Sequence, residues 1–408
     1  MVTSGDIVLT FCFASLVLAG IVGNILVSLV ILLNKTMQTP INYLLLNLAV
    51  ADIITVIFIS PQYIFIHAFT HPTGVAGDFL CKFITGGNLS WIGGVGSVFS
   101  LVAISFERYQ AVTNPYSPDS KFSMSKVKIL VISCWVFTTV FNFPLFFAIY
   151  YDKEQKFCLE SWPSAAYGKA NTTAWLIAVG IIPASIMISL YSRVVYDLWF
   201  KKINGNTQLA IRKSRKKVTK VVLIVSVIYA VSWFPQLILY FLSHYHQAFE
   251  FGNVAYVISV VMVTFNSAVN PMIYAFQSQR FRQYFKQLLC CGRNRIHVVF
   301  PLSAQKTYPN ITSHLDKRDT PATTLNAEVA EEDTGFKDLY DDPQQVDRTG
   351  PNAECTNAWD LWMCQCPTLC LWFFKYKFIV HVSFYGYRAR LWSVFLLMFY
   401  FVHTLFFI

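Results

Sequence analysis

The sequence predicts an all-α membrane protein, a bundle of seven transmembrane helices followed by a short interfacial helix. Of its 408 residues, 55% are hydrophobic and only 13% are charged, whereas soluble domains carry about 25% charged residues. Apolar runs long enough to cross a bilayer as helices recur seven times along the chain. Lys and Arg gather in alternate connectors, so the net charge of +10 indicates membrane orientation and not a nucleic-acid partner.

The third apolar run is the clearest, because Phe83–Phe106 contains no Asp, Glu, Lys or Arg. The basic connectors predict that the N-terminus, residues 1–6, lies outside and that the chain after residue 277 lies inside. We expect an uncleaved signal anchor and a multi-pass protein of the plasma membrane. The predicted spans, which together form a domain of residues 7–277, are 7–33, 41–69, 81–109, 127–150, 173–200, 217–243 and 254–277.

The ten cysteines divide by predicted compartment. Cys81, at the outer end of the third span, and Cys158, in the fourth connector, are the only two in extracytoplasmic regions, so they can form a disulfide. Asn171 begins a sequon on the same side and is a predicted glycosylation site. Cys290 and Cys291 end an amphipathic stretch, and we expect palmitoylation there; free thiols are the alternative.

Beyond the last span the chain changes character twice. Residues 278–292 suit a helix in the inner membrane interface, and residues 293–358 read as a disordered cytoplasmic tail. Residues 359–408 turn abruptly apolar and aromatic. They are either a further membrane segment or a gene-model artefact, and their composition without caps or periodicity favours the artefact.

Asp52 is the only acid in the central turns of the predicted spans, where an ionised carboxylate is costly and usually functional. Carboxylate, hydroxyl and amide oxygens suit a hard cation, so the sequence predicts an allosteric Na⁺ site and no other cofactor. A protonated Asp52 in a polar packing network is the alternative. The predicted ligands are Asn24, Asp52, Ser97, Asn266, Ser267 and Asn270.

Prolines within the fifth, sixth and seventh spans predict kinks, because each removes a backbone hydrogen bond. They are Pro183, Pro235 and Pro271. Trp233 precedes Pro235 by two residues and Tyr274 follows Pro271 by three. Both bulky side chains are therefore placed to move with a bend.

The ordered motifs of residues 7–292 resemble those of rhodopsin-like (class A) G-protein-coupled receptors. The resemblance is carried by Gly23-Asn24, Leu48-Ala49-Val50-Ala51-Asp52, Glu107-Arg108-Tyr109, Trp135, Pro183, Trp233-Phe234-Pro235 and Asn270-Pro271-Met272-Ile273-Tyr274. It implies a receptor, not an enzyme, with an extracellular ligand, a heterotrimeric G protein and arrestin as partners.

The resemblance also implies residue roles. The residue matching Arg108 is held at rest by the neighbouring acid, Glu107, and contacts the G protein when the sixth helix swings outward. Those matching Tyr191 and Tyr274 support the active state, and the one matching Trp233 is a switch beneath the ligand. The set of Asp52, Asn24, Ser97 and Asn270 is similar to the family's sodium pocket.

Two departures from the family pattern carry predictions. The separation of Cys81 and Arg108 is two residues longer than usual, which predicts a bulge or a longer start to the third helix. Arg215 stands eighteen residues before Trp233, where some relatives carry an acid that restrains the arginine. We therefore expect a weaker resting lock and some basal activity.

The ligand class is narrowed by exclusion. Ser90 replaces the aspartate of aminergic receptors, and Thr264 replaces the retinal-binding lysine of opsins. Acids around the mouth favour a cationic ligand by steering: Asp78, Asp152, Glu154, Glu160 and Glu250. The predicted pocket is aromatic and neutral-polar, as binding clefts tend to be, and comprises Ser90, Trp91, Trp175, Gln236, Tyr240, Tyr256 and Thr264.

A short peptide, basic or amidated, is the predicted ligand. The alternatives are a lipid or other small neutral molecule, and an opsin-like receptor without the lysine. A transporter or channel is disfavoured because the sequence shows no inverted repeat and no set of intramembrane charges.

Overall fold

The computed structural model describes residues 4–65, 69–114, 122–201, 206–246 and 253–289. The predicted tail, residues 293–358, the apolar stretch, residues 359–408, and both predicted palmitoylation sites, Cys290 and Cys291, lie outside the described residues. We call the end of the bundle that carries Cys81 the outer end and the end that carries Arg108 the inner end.

Seven helical spans, each long and apolar enough to cross a membrane, form the bundle, which confirms the predicted fold. Their bounds are Ser4–Leu33, Pro40–Tyr63, Val75–Leu80 with Cys81–Thr85 and Asn88–Thr113, Met124–Asn142 with Leu145–Ala148, Ala165–Trp175 with Leu176–Ile181, Ile182–Val195 and Tyr196–Phe200, Asn206–Tyr245, and Val254–Gln277. A 3₁₀ turn, Lys35–Met37, lies in the first connector. Three of these pieces are π-helical, namely Cys81–Thr85, Leu176–Ile181 and Tyr196–Phe200.

Several predicted span boundaries were wrong, including the start of the third span, which begins at Val75 and not at residue 81. The second helix ends at Tyr63 and not at residue 69, and the fifth begins at Ala165 and not at residue 173. The sixth begins at Asn206, eleven residues before its predicted start at residue 217. Apolar runs report the membrane-crossing part of a helix, whereas Lys and Arg are good helix formers that continue it into water.

Apolar side chains face outward as well as inward, as expected for helices surrounded by lipid. Ile129, Ile132 and Val140 of the fourth span are 64%, 64% and 68% exposed. The interior is distinguished instead by its polar groups, since Asn24 and Asp52 are fully buried at mid-bundle. Such groups are costly to bury inside a membrane, so their presence usually marks a functional site.

The third span begins irregularly, which confirms the predicted bulge. After the π-helical piece that contains Cys81, the chain breaks at Gly86 and Gly87 before the long helix starts at Asn88. Gly87 has a φ of +77°, a left-handed conformation that favours glycine. A Cβ at this position would also lie 2.8 Å from Oε1 of Gln62.

A β-hairpin in the fourth connector was not predicted. Strands β1, Ile149–Asp152, and β2, Phe157–Glu160, pair antiparallel, with Tyr151 opposite Cys158. The Asp152 carboxylate stabilises the turn by accepting hydrogen bonds of 2.8 Å from the backbone amides of Glu154 and Gln155, two and three residues further along the chain. Four-residue strands leave little periodicity in the sequence, which explains the omission.

Two contacts attach the hairpin to the start of the third span. The predicted disulfide is confirmed, with 5.7 Å between the Cα atoms of Cys81 and Cys158. The Asp78 carboxylate accepts a hydrogen bond of 2.9 Å from the backbone amide of Tyr151. The hairpin is thereby held across the outer end of the bundle.

The three prolines predicted to kink the fifth, sixth and seventh spans all lie within helical segments. Pro183 follows the π-helical piece of the fifth span, while Pro235 and Pro271 lie inside continuous helices. Pro61, near the end of the second span, is a further internal proline that we did not predict. A Cβ at Gly23 would lie 2.8 Å from Cβ of Pro271, so the first and seventh spans approach closely there.

A helix follows the seventh span, as predicted for residues 278–292, and runs from Gln279 to Leu289. Arg282 donates to the carbonyl oxygens of Ala275, at 3.2 Å, and Phe276, at 2.7 Å. Phe281 is buried, and its ring lies 5.7 Å from that of Tyr274. These contacts anchor the helix to the inner end of the seventh span.

Candidate functional site

A cavity at the outer end lies among the second to seventh spans and the hairpin. Five of the seven predicted pocket residues line it, namely Trp91, Trp175, Gln236, Tyr240 and Tyr256. Polar lining residues that the prediction missed include Gln62, Asn88 and Glu160, together with the indole of Trp233.

Ser90 and Thr264, the other two predicted pocket residues, are not among the lining residues. The Ser90 hydroxyl donates to the backbone carbonyl of Thr55 on the second span, at 2.8 Å. The Thr264 hydroxyl donates to Val260, one turn earlier in its own helix, at 2.9 Å. Adjacent residues of a helix point about 100° apart, so Ser90 turns away where Trp91 faces the cavity.

Aromatic side chains connect the cavity wall to its floor. The Trp91 ring lies 5.9 Å from Trp175 and 6.3 Å from Trp233, both in edge-on geometry. Trp175 and Trp233 are buried, and neither indole N–H has a hydrogen-bond partner among the described residues. Buried donors are rarely left unsatisfied, so these two indoles, which line the cavity, are exceptions among the described residues.

Glu160 brings a carboxylate to this cavity from the end of the hairpin. Its side chain is 10% exposed. Both its oxygens accept a hydrogen bond of 3.0 Å from the Tyr240 hydroxyl, and one also accepts from the Trp162 indole at 3.0 Å. Burial raises the pKa of Glu160 to about 7, although these hydrogen bonds act in the opposite direction.

The sequence predicts Glu160 only as one of the acids around the outer opening of the bundle, not as a residue of the cavity. A signal for its position was present, because it follows Cys158 by two residues and alternate residues of a strand share a face. The disulfide that draws Cys158 inward therefore directs Glu160 inward too.

Asn171 lies inside the helix Ala165–Trp175. Its Nδ2 donates a hydrogen bond of 2.9 Å to the Tyr240 hydroxyl. An N-linked glycan would occupy that same nitrogen. Glycosylation of Asn171 stays a prediction, and this contact is an alternative use of the side chain.

The polar cluster around Asp52 brings together five of the six predicted sodium ligands. The Asp52 carboxylate accepts hydrogen bonds from the Ser97 hydroxyl, at 2.7 Å, and the Asn270 amide, at 2.8 Å, and the Ser267 side chain lies near it. Asn24 donates to the backbone carbonyl of Ser267, at 2.9 Å.

Three buried amide oxygens of the predicted sodium set have no hydrogen-bond partner among the described residues. They belong to Asn24, Asn266 and Asn270. Unsatisfied carbonyl-type oxygens near a carboxylate are the ligands that a hard monovalent cation prefers. The residues present therefore fit Na⁺.

At the inner end, Arg108 and Glu107 form a two-point salt bridge between neighbouring side chains, through Nε and Nη2 of the arginine. Both are buried, at 4% and 7% exposed. Among the described residues, Glu107 is the only acid in a salt bridge with Arg108. The arrangement matches the resting pairing that the motif implies.

The tyrosines predicted to act at this end belong to three spans, the third, fifth and seventh. Tyr109 packs against a small apolar cluster with Val194 of the fifth span. The Tyr191 hydroxyl accepts a hydrogen bond of 3.4 Å from Ser226, and the buried Tyr274 hydroxyl has no partner within the described chain. The role of Tyr274 in supporting the active state stays a prediction.

Comparison with known proteins agrees with this geometry. The family described as 7 transmembrane receptor (rhodopsin family) matches residues 23–274. The allatostatin-A receptor of Bombyx mori is 32% identical over 294 residues, which cover 68% of this chain and 78% of that receptor. Galanin receptor type 1 of Mus musculus is 28% identical, covering 75% of this chain and 85% of that receptor.

A third relative is the tachykinin-like peptides receptor 86C of Drosophila melanogaster, 30% identical over 68% of this chain and 58% of its own length. The matched region spans more than half of the chain and includes Asp52, the Arg108 motif, Trp233 and Tyr274. The chain therefore belongs to the rhodopsin family of seven-transmembrane receptors.

Proposed function

We propose that the chain is a plasma-membrane receptor that binds a short extracellular peptide in its outer cavity and activates heterotrimeric G proteins at its inner end. The N-terminus lies outside, and arrestin is a second intracellular partner. The proposal is supported by the relatives, whose names identify receptors for allatostatin-A, galanin and tachykinin-like peptides. The observation that carries it is the contact between the cavity and Trp233 of the sixth span.

The mechanism follows from the position of Trp233. Its ring is 1% exposed, forms part of the cavity floor and lies two residues before Pro235. A ligand that displaces the ring acts on the helix at the point where proline has removed a backbone hydrogen bond. Outward movement of the inner half of this helix then exposes Arg108 to the G protein.

The Asp52 cluster supplies a brake on this movement. We propose that Na⁺ binds Asp52 with Ser97 and the nearby asparagine oxygens in the resting bundle. Rearrangement of the seventh span around Pro271 would close that polar space, so the ion favours the resting state. A ligand that favours the active state and the ion therefore oppose each other.

The test is nucleotide exchange on heterotrimeric G proteins in membranes from cells that express the full chain. The probes are short synthetic peptides, each prepared with a free carboxyl terminus and with an amide. We expect at least one peptide to stimulate exchange in the wild type and not in Arg108→Ala, with equal amounts of both proteins at the cell surface. Stimulation by neutral lipids with no active peptide would contradict the peptide assignment, and an undiminished response in Arg108→Ala would contradict the coupling mechanism.

A further inference from the structure

The Glu160 carboxylate accepts hydrogen bonds from several donors but has no permanent positive charge beside it among the described residues. Among the described residues that line the outer cavity, it is the only acid. Its hydrogen-bond donors, Tyr240 and Trp162, are both neutral. A buried carboxylate that is held only by neutral donors carries an unfavourable desolvation cost, which an opposite charge within reach would offset.

No permanent cation of the described chain fills this role. The only basic group within salt-bridge distance of Glu160 is His244, whose Nε2 lies 3.9 Å from Oε2. A neutral imidazole supplies no charge, and the described lysines and arginines form no salt bridge with Glu160. Within the described residues the position opposite Glu160 lacks a fixed positive charge, and a cation on a ligand could reach it through the cavity.

The surrounding side chains select the shape of that partner. Trp91, Trp175 and Tyr240 present aromatic rings on the same cavity, with 6.3 Å between the centroids of Trp175 and Tyr240. Planar guanidinium groups stack on aromatic rings and bind a carboxylate through two parallel N–H groups, whereas an ammonium does neither as well. Asn171 holds the Tyr240 hydroxyl in position by donating to it at 2.9 Å.

We propose that Glu160 is the counter-ion of a guanidinium group on the ligand, which enters the outer cavity lined by Trp91, Trp175 and Tyr240. The inference deepens the proposed function, on which it rests, by assigning an arginine side chain to the peptide. Asn171 acts through Tyr240, whose hydroxyl it holds against the Glu160 carboxylate.

A pH dependence follows, with a defined sign. The pKa of Glu160 is raised to about 7 by burial, so the carboxylate is mostly protonated at pH 6 and mostly ionised at pH 8. A guanidinium keeps its charge throughout this window and pairs only with the ionised form. Binding of a guanidinium therefore strengthens between pH 6 and pH 8.

Other titratable groups face Glu160 from two spans. The sixth contributes Tyr240 and His244, and the seventh contributes Tyr256. Tyrosine phenols ordinarily ionise far above this pH window, which leaves His244 as the one group that could imitate the effect. The variant His244→Gln distinguishes Glu160 from His244 as the source of the pH dependence. If Glu160 is the titrating group, guanidinium binding to this variant still depends on pH.

The probes are two small molecules of the same shape, phenethylguanidine, which is cationic, and phenethylurea, which is neutral. Each is titrated against the purified full-length receptor in detergent, and the concentration for half-maximal thermal stabilisation is measured at pH 8. A hydrogen-bonded pair with a charged group contributes about 1.5–3 kcal/mol. We therefore expect the guanidine to be more potent than the urea by roughly 10-fold or more in the wild type.

Two glutamate variants make the comparison specific. Glu160→Gln keeps the size and the acceptor oxygen but removes the charge, so the two probes should become equally potent. Glu154→Gln removes the same charge from the exposed turn of the same hairpin, so it should keep the full preference for the guanidine. Equal potency in the wild type, or a preference that persists in Glu160→Gln, would overturn the proposal.

The wild type alone provides a second measurement if Glu160→Gln does not fold. Its preference for phenethylguanidine over phenethylurea should shrink as the pH falls from 8 to 6, and a preference that is constant over this range would refute the role of Glu160. These readouts need neither a peptide nor a G protein. A failure of the proposed peptide function is therefore distinguishable from a failure of the counter-ion.

Discussion

The crossing of the second and third spans gives a sharp test of how tightly the bundle is packed. A Cβ placed on Gly93 would lie 2.7 Å from the carbonyl oxygen of Ala51 and 2.7 Å from the backbone nitrogen of Thr55. Backbone atoms inside a helix cannot turn aside, so Gly93→Ala has to push the two helices apart. Overpacking of this kind costs about 1–3 kcal/mol, and we expect the upper part of that range. The better helix propensity of alanine returns up to about 1 kcal/mol.

Gly96 is the matched control, because it lies one turn further along the same helix. A Cβ there would meet the Ala51 Cβ at 3.4 Å and the Trp135 ring at 3.8 Å, which are ordinary contact distances. Gly96→Ala should therefore gain helix propensity with no overpacking. We expect the two variants to differ by about 2 kcal/mol in stability, or roughly 4–8 °C in apparent melting temperature.

The assay is loss of monodisperse receptor on size exclusion after brief heating of detergent-solubilised samples. Wild type, Gly93→Ala and Gly96→Ala are compared at equal concentration, with Gly93→Ala expected lowest. Equal melting temperatures for the two variants would show that the crossing yields to an added methyl group. The steric reasoning would then be wrong.

Two further predictions concern the outer end and the polar cluster. Cys81→Ser and Cys158→Ser should each lower surface expression, because opening a loop of 77 residues gives the unfolded chain more conformational entropy, which costs about 4 kcal/mol of stability. Flow cytometry should find the double variant no worse than either single variant. Additive losses would contradict the pairing. Raising the Na⁺ concentration at fixed ionic strength should weaken agonist affinity, measured by competition binding, in the wild type but not in Asp52→Asn. The amide of this variant keeps the size of the side chain and loses its charge. A sodium effect that survives the substitution would show that Asp52 does not hold the ion.

The sequence predicted the seven spans because each crossing leaves an uninterrupted apolar run, such as Phe83–Phe106. It could not predict where helices end outside the membrane, as at Asn206, because helix propensity continues where hydrophobicity stops. The four-residue strands of the hairpin leave no comparable pattern. A disulfide between residues that are distant in the chain attaches them to the third span.

The residues of the candidate site were also only partly predictable from the sequence. Trp91, Trp175 and Tyr240 were found because bulky aromatic residues near the outer ends of spans usually line a cleft. Ser90 was misplaced because the choice of helix face depends on rotation about the axis, which an irregular start at Gly86 and Gly87 obscures. Glu160 was found as a charge but not as a pocket residue, since its burial depends on the hairpin.

The hairpin also constrains which length changes the fourth connector can accept. Cys158 and Glu160 share one face of β2 because they are two residues apart. A single residue inserted between them would move the carboxylate to the opposite face while leaving the disulfide intact. Insertions in the exposed turn, residues 153–156, would leave that face unchanged. Among related receptors, the turn is therefore the part of this connector that can vary in length without changing the charge presented to the ligand.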